Sequence, residues 1–286
     1  MPDPLPPPAD TLWSSGDVHM VVTARRLHMS SPDRLTLGAV YHAMRSGLGD
    51  AGRVRVTVEF RERTTAVRAF SGATAEPVEV GSVVLGAHLD YADGGLQRAE
   101  ISLRGSRPTQ RVLVQRQGRA YGYSVDGERW GRFSVRPRIF DLPQFETEIG
   151  RIAVHDVRID QAVKIPKLEQ ALDVDLDREG FAQLLRVFSA DVGDETGGLS
   201  LGAFSVSLEA ADDVSLLYWW ALTGLGGAPT SAEEGPRALK ISCSVSIRLA
   251  AAGAQDLPKL TWDRELPAVA NVDEVWSLLR RRDRGS

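Results

Sequence analysis

Strict alternation of apolar and polar residues is the feature that most constrains this chain. In residues 53–63, RVRVTVEFRER, the apolar Val54, Val56, Val58 and Phe60 alternate with polar side chains, and the pattern recurs in residues 202–210, GAFSVSLEA, and 241–249, ISCSVSIRL. Successive side chains of a strand point to opposite faces, so this spacing predicts strands with one buried and one solvated face. Such strands are typical of antiparallel sheets. They disfavour a Rossmann-type core, whose parallel strands are apolar on both faces.

Turn and helix signals complete the fold prediction. Asp93-Gly94-Gly95 and Asp126-Gly127 have the residue types of tight hairpin turns. Helical spacing with start signals occurs in residues 31–49, in residues 176–191 with Asp177 as the N-cap, and in residues 271–282 with Asn271 as the N-cap. Together with nine or ten strands, these signals predict an α+β fold. We expect a large curved antiparallel β-sheet, half-barrel or sandwich-like, with about three α-helices packed on it.

The chain is predicted to form one domain. Residues 1–13 are proline-rich, and we expect them to be a flexible tail before a single α+β domain at 14–284. The order of strands and helices is similar in residues 14–135 and 149–284, which suggests two similar halves that share one sheet. Residues 136–148, with two prolines, would be the seam between them.

Composition and charge limit the classes of function. The single cysteine, Cys243, excludes an internal disulfide and a cysteine-based zinc site, and its place in an alternating strand predicts a small buried residue. We find no long apolar run and no signal-peptide pattern, so we predict a cytoplasmic protein without an integral membrane segment. Thirty arginines against four lysines agree with a GC-rich bacterial genome. The basic residues are scattered, which predicts no nucleic-acid partner.

The two halves differ in charge. Residues 1–143 contain 19 arginines and 15 acidic residues, a net charge of +4, whereas residues 144–286 contain 15 basic and 23 acidic residues, a net charge of −8. Such polarity can steer a protein partner. It also suits a homodimer in which one half faces the other.

An aromatic hairpin is the first candidate site. In residues 111–133, RVLVQRQGRAYGYSVDGERWGRF, Tyr121 and Tyr123 share one strand face, and Trp130 can approach them across the Asp126-Gly127 turn. Cross-strand aromatic pairs stabilise hairpins, so the cluster is explained by structure alone. The alternative is that these rings contact a ligand.

The strand LLYWWAL, residues 216–222, is the second candidate. Leu216, Tyr218 and Trp220 fall on one face and Leu217 and Trp219 on the other, so the strand is apolar on both faces. Either protein covers both faces, or one face lines an apolar cavity. The ligand-binding candidates are therefore Tyr218, Trp219, Trp220, Tyr121, Tyr123 and Trp130.

Signals for catalysis, metals and cofactors are weak. His88 and Asp90 share one strand face, which suits a general acid–base pair but equally suits a solvated face. The five histidines lack metal-ligand spacing, and the Asp173-Asp175-Asp177 series lacks the glycine and glutamate of a calcium loop. No P-loop motif occurs. We therefore assign no catalytic residue, metal or cofactor.

The layout resembles one known family. An antiparallel sheet, a few helices and the stretch VQRQGRAYGYSVDGERWGRF resemble the lipid-carrying half-barrels of the LolA/LppX type, over residues 100–250. The resemblance implies a cupped sheet whose concave side holds an acyl chain. The sequence lacks the signal peptide and lipobox cysteine of those envelope proteins.

Two hypotheses for function follow. The first is a soluble, non-enzymatic protein that binds an apolar or lipid-like molecule in a cavity on the sheet. The second is an interaction or assembly module that uses a sheet edge and its charge-polarised halves.

Overall fold

The alternating strands pair into one large open sheet in the computed structural model, which describes residues 11–15, 18–23, 26–30, 35–45, 53–68, 78–92, 95–105, 109–137, 139–159, 170–187, 200–210, 213–226, 237–253 and 257–282. The helices there are α1 (Leu37–Arg45), α2 (Leu142–Ile149), α3 (Arg178–Val187) and α4 (Val272–Arg282). The strands are β1 (Thr11–Ser15), β2 (Val18–Thr23), β3 (Arg26–Ser30), β4 (Arg53–Arg68), β5 (Val78–Ala92), β6 (Gly95–Arg104), β7 (Gln110–Gln117), β8 (Ala120–Ser124), β9 (Gly131–Arg132), β10 (Asp156–Ile159), β11 (Gln170–Asp175), β12 (Ser200–Ala210), β13 (Val214–Gly226) and β14 (Arg237–Ala251).

The large sheet consists of two meanders joined by one pairing. Its strand order is β10-β11-β12-β13-β14-β4-β5-β6-β7-β8-β9, and a separate three-stranded sheet has the order β1-β2-β3. Strands β4 to β9 form one meander and β10 to β14 the other, and all their pairings are antiparallel. The antiparallel pairing of β14 with β4 makes them a single sheet. The predicted α+β class with a large curved antiparallel sheet is confirmed.

The period-two pattern separates the two faces of this sheet as expected. On the inner face, Val58 of β4 pairs with Ala87 of β5 and with Ile247 of β14. On the outer face, Thr57 pairs with the exposed His88. Helices cover much of the inner face, which forms the core, because burying its apolar side chains is the main favourable contribution to folding.

Capping side chains fix the beginnings of the helices. Asp177 Oδ1 accepts a hydrogen bond from Gly180 N at 2.7 Å and begins α3, and Asn271 Oδ1 accepts one from Glu274 N at 2.9 Å and begins α4. Both predicted N-caps are confirmed. Helix α1, with nine residues, lies within the predicted first helix at 31–49, of which residues 31–34 and 46–49 are outside the described ranges.

The described residues contain more strands than the nine or ten predicted, and one helix lies outside the three predicted positions. Helix α2 occupies part of the predicted seam at 136–148, where Asp141 Oδ1 accepts a hydrogen bond from Gln144 N and Pro143 lies in the first turn. Proline is well tolerated there, because the first-turn N–H groups have no partner within the helix. The described residues therefore contain four helices and fourteen strands.

Two sequence predictions lie partly or wholly outside the described residues. Strand β1 begins at Thr11, so the predicted tail overlaps it at residues 11–13, and residues 1–10 are not described. The Asp93-Gly94 turn is not described either, although Ala92 pairs with Gly95 across it. The similarity of the two halves stays a prediction.

A glycine contact holds α1 against the end of α2. A Cβ atom placed on Gly38 would lie 2.6 Å from Gly150 Cα and 2.7 Å from Gly150 N, so only glycine permits this distance between the two backbones. Next to it, Tyr41 of α1 packs edge-on against Phe145 of α2, with ring centroids 5.8 Å apart. The contact therefore fixes the position of the helix layer above the sheet.

We expect Gly38→Ala to lower the free energy of unfolding by about 1–3 kcal/mol, because the new methyl group meets backbone atoms that cannot rotate away. Gly81→Ala is the matched control, since a Cβ there has no neighbour within 4 Å. It should be neutral or stabilising by up to about 1 kcal/mol. Urea denaturation measures both values. Equal values for the two variants would contradict the close packing of α1 on α2.

Candidate functional site

A cavity of about 430 Å³ lies between the inner face of the large sheet and the helices. We name it the sheet–helix cavity. Its floor is formed by strands of both meanders, through Val58, Phe60, Leu85, Ala87, Ile101, Tyr218, Trp220 and Val245. Its roof is formed by Ile139, Phe140, Leu185, Asn271, Val272, Asp273 and Trp276. This volume is within the range of small-molecule sites, about 300–1,000 Å³, and such sites are usually lined mostly by apolar groups.

Aromatic rings form one end of the floor. Trp220 stacks on Tyr218, with centroids 5.9 Å apart, and packs against Phe60 at 6.3 Å. Phe181 of α3 packs edge-on against Trp220 at 6.3 Å and stacks on Phe204 at 4.2 Å. We call these five residues the aromatic cluster. They join α3 to the sheet and give the cavity a rigid wall.

The first turn of α4 forms part of the roof. Asn271 caps the helix, and the Glu274 carboxylate accepts a hydrogen bond from Ala270 N at 2.9 Å. Val272 and Trp276 then lie one turn apart on the helix, so both side chains reach the cavity. The local capping arrangement therefore sets which face of α4 lines the site.

The cavity opens to solvent beside β5. Leu85 lines it and is 39% exposed, and Val83, the next inner-face residue of the strand, is 38% exposed. Large apolar side chains with this exposure on an otherwise covered face form an apolar entrance. This side of the cavity therefore presents apolar surface to solvent.

Polar groups in the cavity lining are few. Among the described lining residues, Tyr218 and Asp273 are the ones with an ionisable side chain. Burial raises the pKa of Tyr218 well above its ordinary value, so the phenol is neutral at physiological pH. Trp220 is 3% exposed, and its buried Nε1 atom has no hydrogen-bond partner among the described residues. The lining is suited to holding an apolar molecule and offers few groups for chemistry.

Of the two predicted candidate sites, the strand LLYWWAL is the one that lines this cavity. It does so with the side chains of one strand face only. Tyr218 and Trp220 line the cavity. Trp219 lies on the outer face, where it pairs with Ser205 and Ser244. Trp219 is therefore separated from the sheet–helix cavity by the sheet itself.

The aromatic hairpin lies elsewhere, and its three rings do not form one cluster. Tyr121 and Tyr123 are buried on the inner face, whereas a Cβ at the intervening Gly122 would lie 3.2 Å from Trp130 and 2.7 Å from Trp262. Trp130 therefore lies on the opposite face from the two tyrosines, contrary to the predicted approach. The Asp126-Gly127 turn has the expected positive φ, 85° at Gly127.

Tyr123 contributes to a second, smaller cavity. This cavity, about 300 Å³, is lined by Tyr123, by residues of the loop before α4 and by the face of α4 that includes Val275, Leu278 and Leu279. The Tyr123 hydroxyl donates to the Pro267 carbonyl at 2.8 Å. Tyr121 donates to the Leu96 carbonyl at 3.3 Å. These bonds give both tyrosines a structural role.

The histidine–carboxylate pair lies on the outer face. Asp90 forms an ion pair with Arg55 at 2.8 Å, and the His88 Nδ1 atom lies 3.2 Å from Thr57 Oγ1. Elsewhere in the fold, His155 lies 3.3 Å from Asp177, at the beginning of α3. Within the described ranges, no group of three or more His, Cys, Asp or Glu side chains is placed to hold a metal ion. Every described helix is too short or too polar to cross a membrane.

Most of the cavity lining was missed by sequence reasoning. The roof residues Val272 and Trp276 were assigned to a predicted helix, and Val58 and Phe60 to a buried strand face, without any assignment to a site. The available signal was the alternation itself, because inner-face residues of neighbouring strands lie side by side. The sequence does not tell where the helices leave a gap above that face.

Comparison with known proteins adds little to this description. No protein-family model and no curated protein matches the sequence. One match among solved structures is an acetoacetate decarboxylase-like enzyme from Sphingomonas wittichii RW1, which is 11% identical, with 74% of this chain and 96% of that chain covered and a TM-score of 0.12. A TM-score of this size supports no conclusion about fold or function.

We expect Phe181→Ala to cost about 3–5 kcal/mol of unfolding free energy, because Phe181 is fully buried between Phe204, Tyr218 and Trp220. Trp219→Ala, on the outer face, should cost clearly less, since Trp219 is only partly buried. Chemical denaturation of both variants measures the difference. A larger loss for Trp219→Ala would contradict the assignment of the two faces.

The buried thiol of Cys243 should make the free energy of unfolding depend on pH in the alkaline range. Burial, with a smaller contribution from the Glu62 charge, raises the pKa of Cys243 to about 12. The thiol of the unfolded chain titrates near pH 8.5, so between the two pKa values the folded state retains a proton that the unfolded state loses. The contribution of this protonated thiol to the free energy of unfolding is fully present below about pH 8, and it decreases as the pH rises further.

We expect the unfolding free energy of the wild-type protein to fall by about 1 kcal/mol more between pH 7.5 and 9.5 than that of Cys243→Ala. The comparison of pH slopes removes the cost of the missing sulfur atom, and the range ends below the titration of the tyrosines. Identical slopes would show that the Cys243 pKa is not raised.

Proposed function

We propose that this protein binds an apolar, lipid-like molecule in the sheet–helix cavity and acts by binding rather than by catalysis. The observation that supports this most strongly is the cavity itself, about 430 Å³, with aromatic and aliphatic walls and an apolar entrance at Leu85. A cavity with such a lining gains free energy when apolar ligand surface leaves water. The few ionisable groups in its lining favour binding over chemistry.

The arrangement of the walls also supports the proposal. The floor comes from five strands and the roof from α3, α4 and the residues before α2, so the walls are held by regular structure and not by loops alone. A site on such a support is formed before the ligand arrives, which reduces the entropy lost on binding.

The resemblance to LolA/LppX-type half-barrels is part of the same proposal. It implies an acyl chain on the concave side of an antiparallel sheet. Tyr218 and Trp220, the cavity-facing residues of the LLYWWAL strand, would contact that chain. The layout of an open sheet with helices over one face supports this part of the proposal.

Filling the cavity should abolish binding. We expect Ala87→Phe to reduce binding of the uncharged fluorescent probe N-phenyl-1-naphthylamine at least about tenfold, because the new ring occupies the ligand volume. Ala203→Phe is the matched control, since Ala203 is an exposed residue on the outer face and should leave binding unchanged. Circular dichroism checks that both variants fold.

Native mass spectrometry of freshly purified wild-type protein completes this test. A mass excess that disappears on denaturation, together with an apolar molecule in an organic extract, is the expected result. Probe binding that Ala87→Phe and Ala203→Phe reduce equally, or no probe binding at all, would overturn the proposed function.

An interaction module is the second candidate, and the charge difference between the halves favours it. The edge strands of the described large sheet, β9 and β10, have two and four residues. Short edges offer few unpaired backbone groups for strand addition. A homodimer without bound ligand in the same native mass spectra would favour this candidate.

A further inference from the structure

We infer that two copies of this chain form a homodimer by packing the outer faces of their large sheets together, over an uncharged strip on β12, β13 and β14. The inference goes beyond the proposed function and does not depend on it, because the sheet–helix cavity lies on the opposite face of the sheet. It follows from the residues of this strip and from the charges on its two sides.

The middle of the outer face is uncharged, and we name it the outer strip. Its central strand, β13, contributes Leu217 and Trp219, and both side chains are partly exposed. The other residues of the strip are small, and they are Ala203, Ser205, Ser207, Ala221, Ser242, Ser244 and Ser246. Small side chains let two sheets approach closely, and the large apolar ones fill the space between them. The outer strip therefore has the composition of the centre of an interface.

The two sides of the outer strip carry opposite charges. On one side, next to β12, strand β11 presents Asp173 and Asp175, which are exposed. On the other side, next to β14, strand β4 presents Arg61 and Arg63, which are also exposed. The acidic residue among them is Glu59, which already forms an ion pair with Arg61.

A two-fold axis parallel to β13 makes these two sides complementary. Rotation about this axis places β14 and β4 of one copy over β12 and β11 of the other, so the basic side of each copy faces the acidic side of its partner. A two-fold axis perpendicular to β13 in the plane of the sheet would instead place each acidic side over another acidic side. Like charges in such positions oppose association, so the charges select the first arrangement.

The register of the strands identifies the residues that meet. Ser205, Trp219 and Ser244 lie side by side on the outer face, and Arg61 of β4 pairs with Ser244. Asp175 extends the same row on β11, because it follows Val174, which pairs with Val206. Two strands separate Arg61 and Asp175 from the axis on either side. In the dimer, Arg61 of each copy therefore faces Asp175 of the other.

The arginines retain donors for this contact. Arg61 pairs with Glu59 and Arg63 with Glu79 through the Nε atom in each case. A guanidinium group has five N–H donors in a fixed arrangement. An exposed arginine that is paired through Nε can therefore still donate to a carboxylate of a second copy through its terminal nitrogens.

The face is large enough for a stable dimer. The five strands from β11 to β4 span about 24 Å at the usual strand spacing. Along the strands, the stretch from Ser215 to Thr223 of β13 extends about 30 Å. The face therefore offers roughly 700 Å² per copy, close to the value of about 800 Å² per partner that is typical of specific complexes.

Sedimentation equilibrium of the full-length protein tests the dimer. We expect the wild-type protein to be dimeric at about 10 μM, within the affinity range of interfaces of this size. Trp219→Lys should raise the dissociation constant of the dimer at least about 100-fold, because it removes the large ring at the centre of the interface and buries two like charges near the axis.

Two charge-reversed variants test the two-fold arrangement. Arg61→Glu and Asp175→Arg each place like charges opposite each other, so each variant alone should dimerise at least about tenfold more weakly than the wild type. In an equal mixture, a heterodimer of the two variants pairs opposite charges at both contacts, so the dimer should return. Its return also shows that both variants are folded.

Arg111→Glu is the matched control. Like Arg61, Arg111 is an exposed arginine that pairs with a glutamate, Glu100, but it lies on β7, outside the face that the dimer covers. Its dissociation constant should equal that of the wild type.

Three outcomes would overturn the inference. The first is a wild-type protein that stays monomeric up to about 100 μM, since an interface of this size binds more tightly. The second is a dimer that Trp219→Lys leaves intact, which would place the interface on another surface. The third is a mixture of Arg61→Glu and Asp175→Arg that is no more dimeric than either variant alone.

Discussion

The antiparallel pairing of β14 with β4 is the interaction on which the rest of the structure depends. It runs from Arg237 opposite Arg68 to Ala251 opposite Val54 and joins two meanders into one sheet. Without it, Phe60 on one meander and Trp220 on the other would not meet. The register of this pairing decides the face on which each side chain lies, because a shift of one residue would turn every apolar side chain to the opposite face.

The helix layer depends on that continuous inner face. Helix α3 reaches it through Phe181, which lies against Phe204, Tyr218 and Trp220. The helices do not cover the face completely, because Leu85 on β5 stays partly exposed beside them. The incomplete cover produces the cavity and its entrance, so the candidate site is a consequence of how the layers fit.

Local patterns in the sequence predicted the strands and two of the helix beginnings, because alternation and capping are properties of a few neighbouring residues. Alternation also separated Tyr218 and Trp220 from Trp219. It did not tell which of these faces the helices cover, since that depends on packing with residues far along the chain. Helix α2 was missed because Pro143 looked like part of a linker, although proline suits the first turn.

The long pairing between β4 and β14 has a consequence for folding. The paired residues are about 170 to 200 residues apart in sequence, and contacts of such high sequence separation slow folding because the intervening chain must close first. During synthesis, β4 is complete long before residues 237–251 leave the ribosome. Until then it is the edge strand of a partial sheet, a template for pairing with another chain. When β14 finally pairs with β4, it therefore removes an aggregation-prone edge as well as completing the sheet.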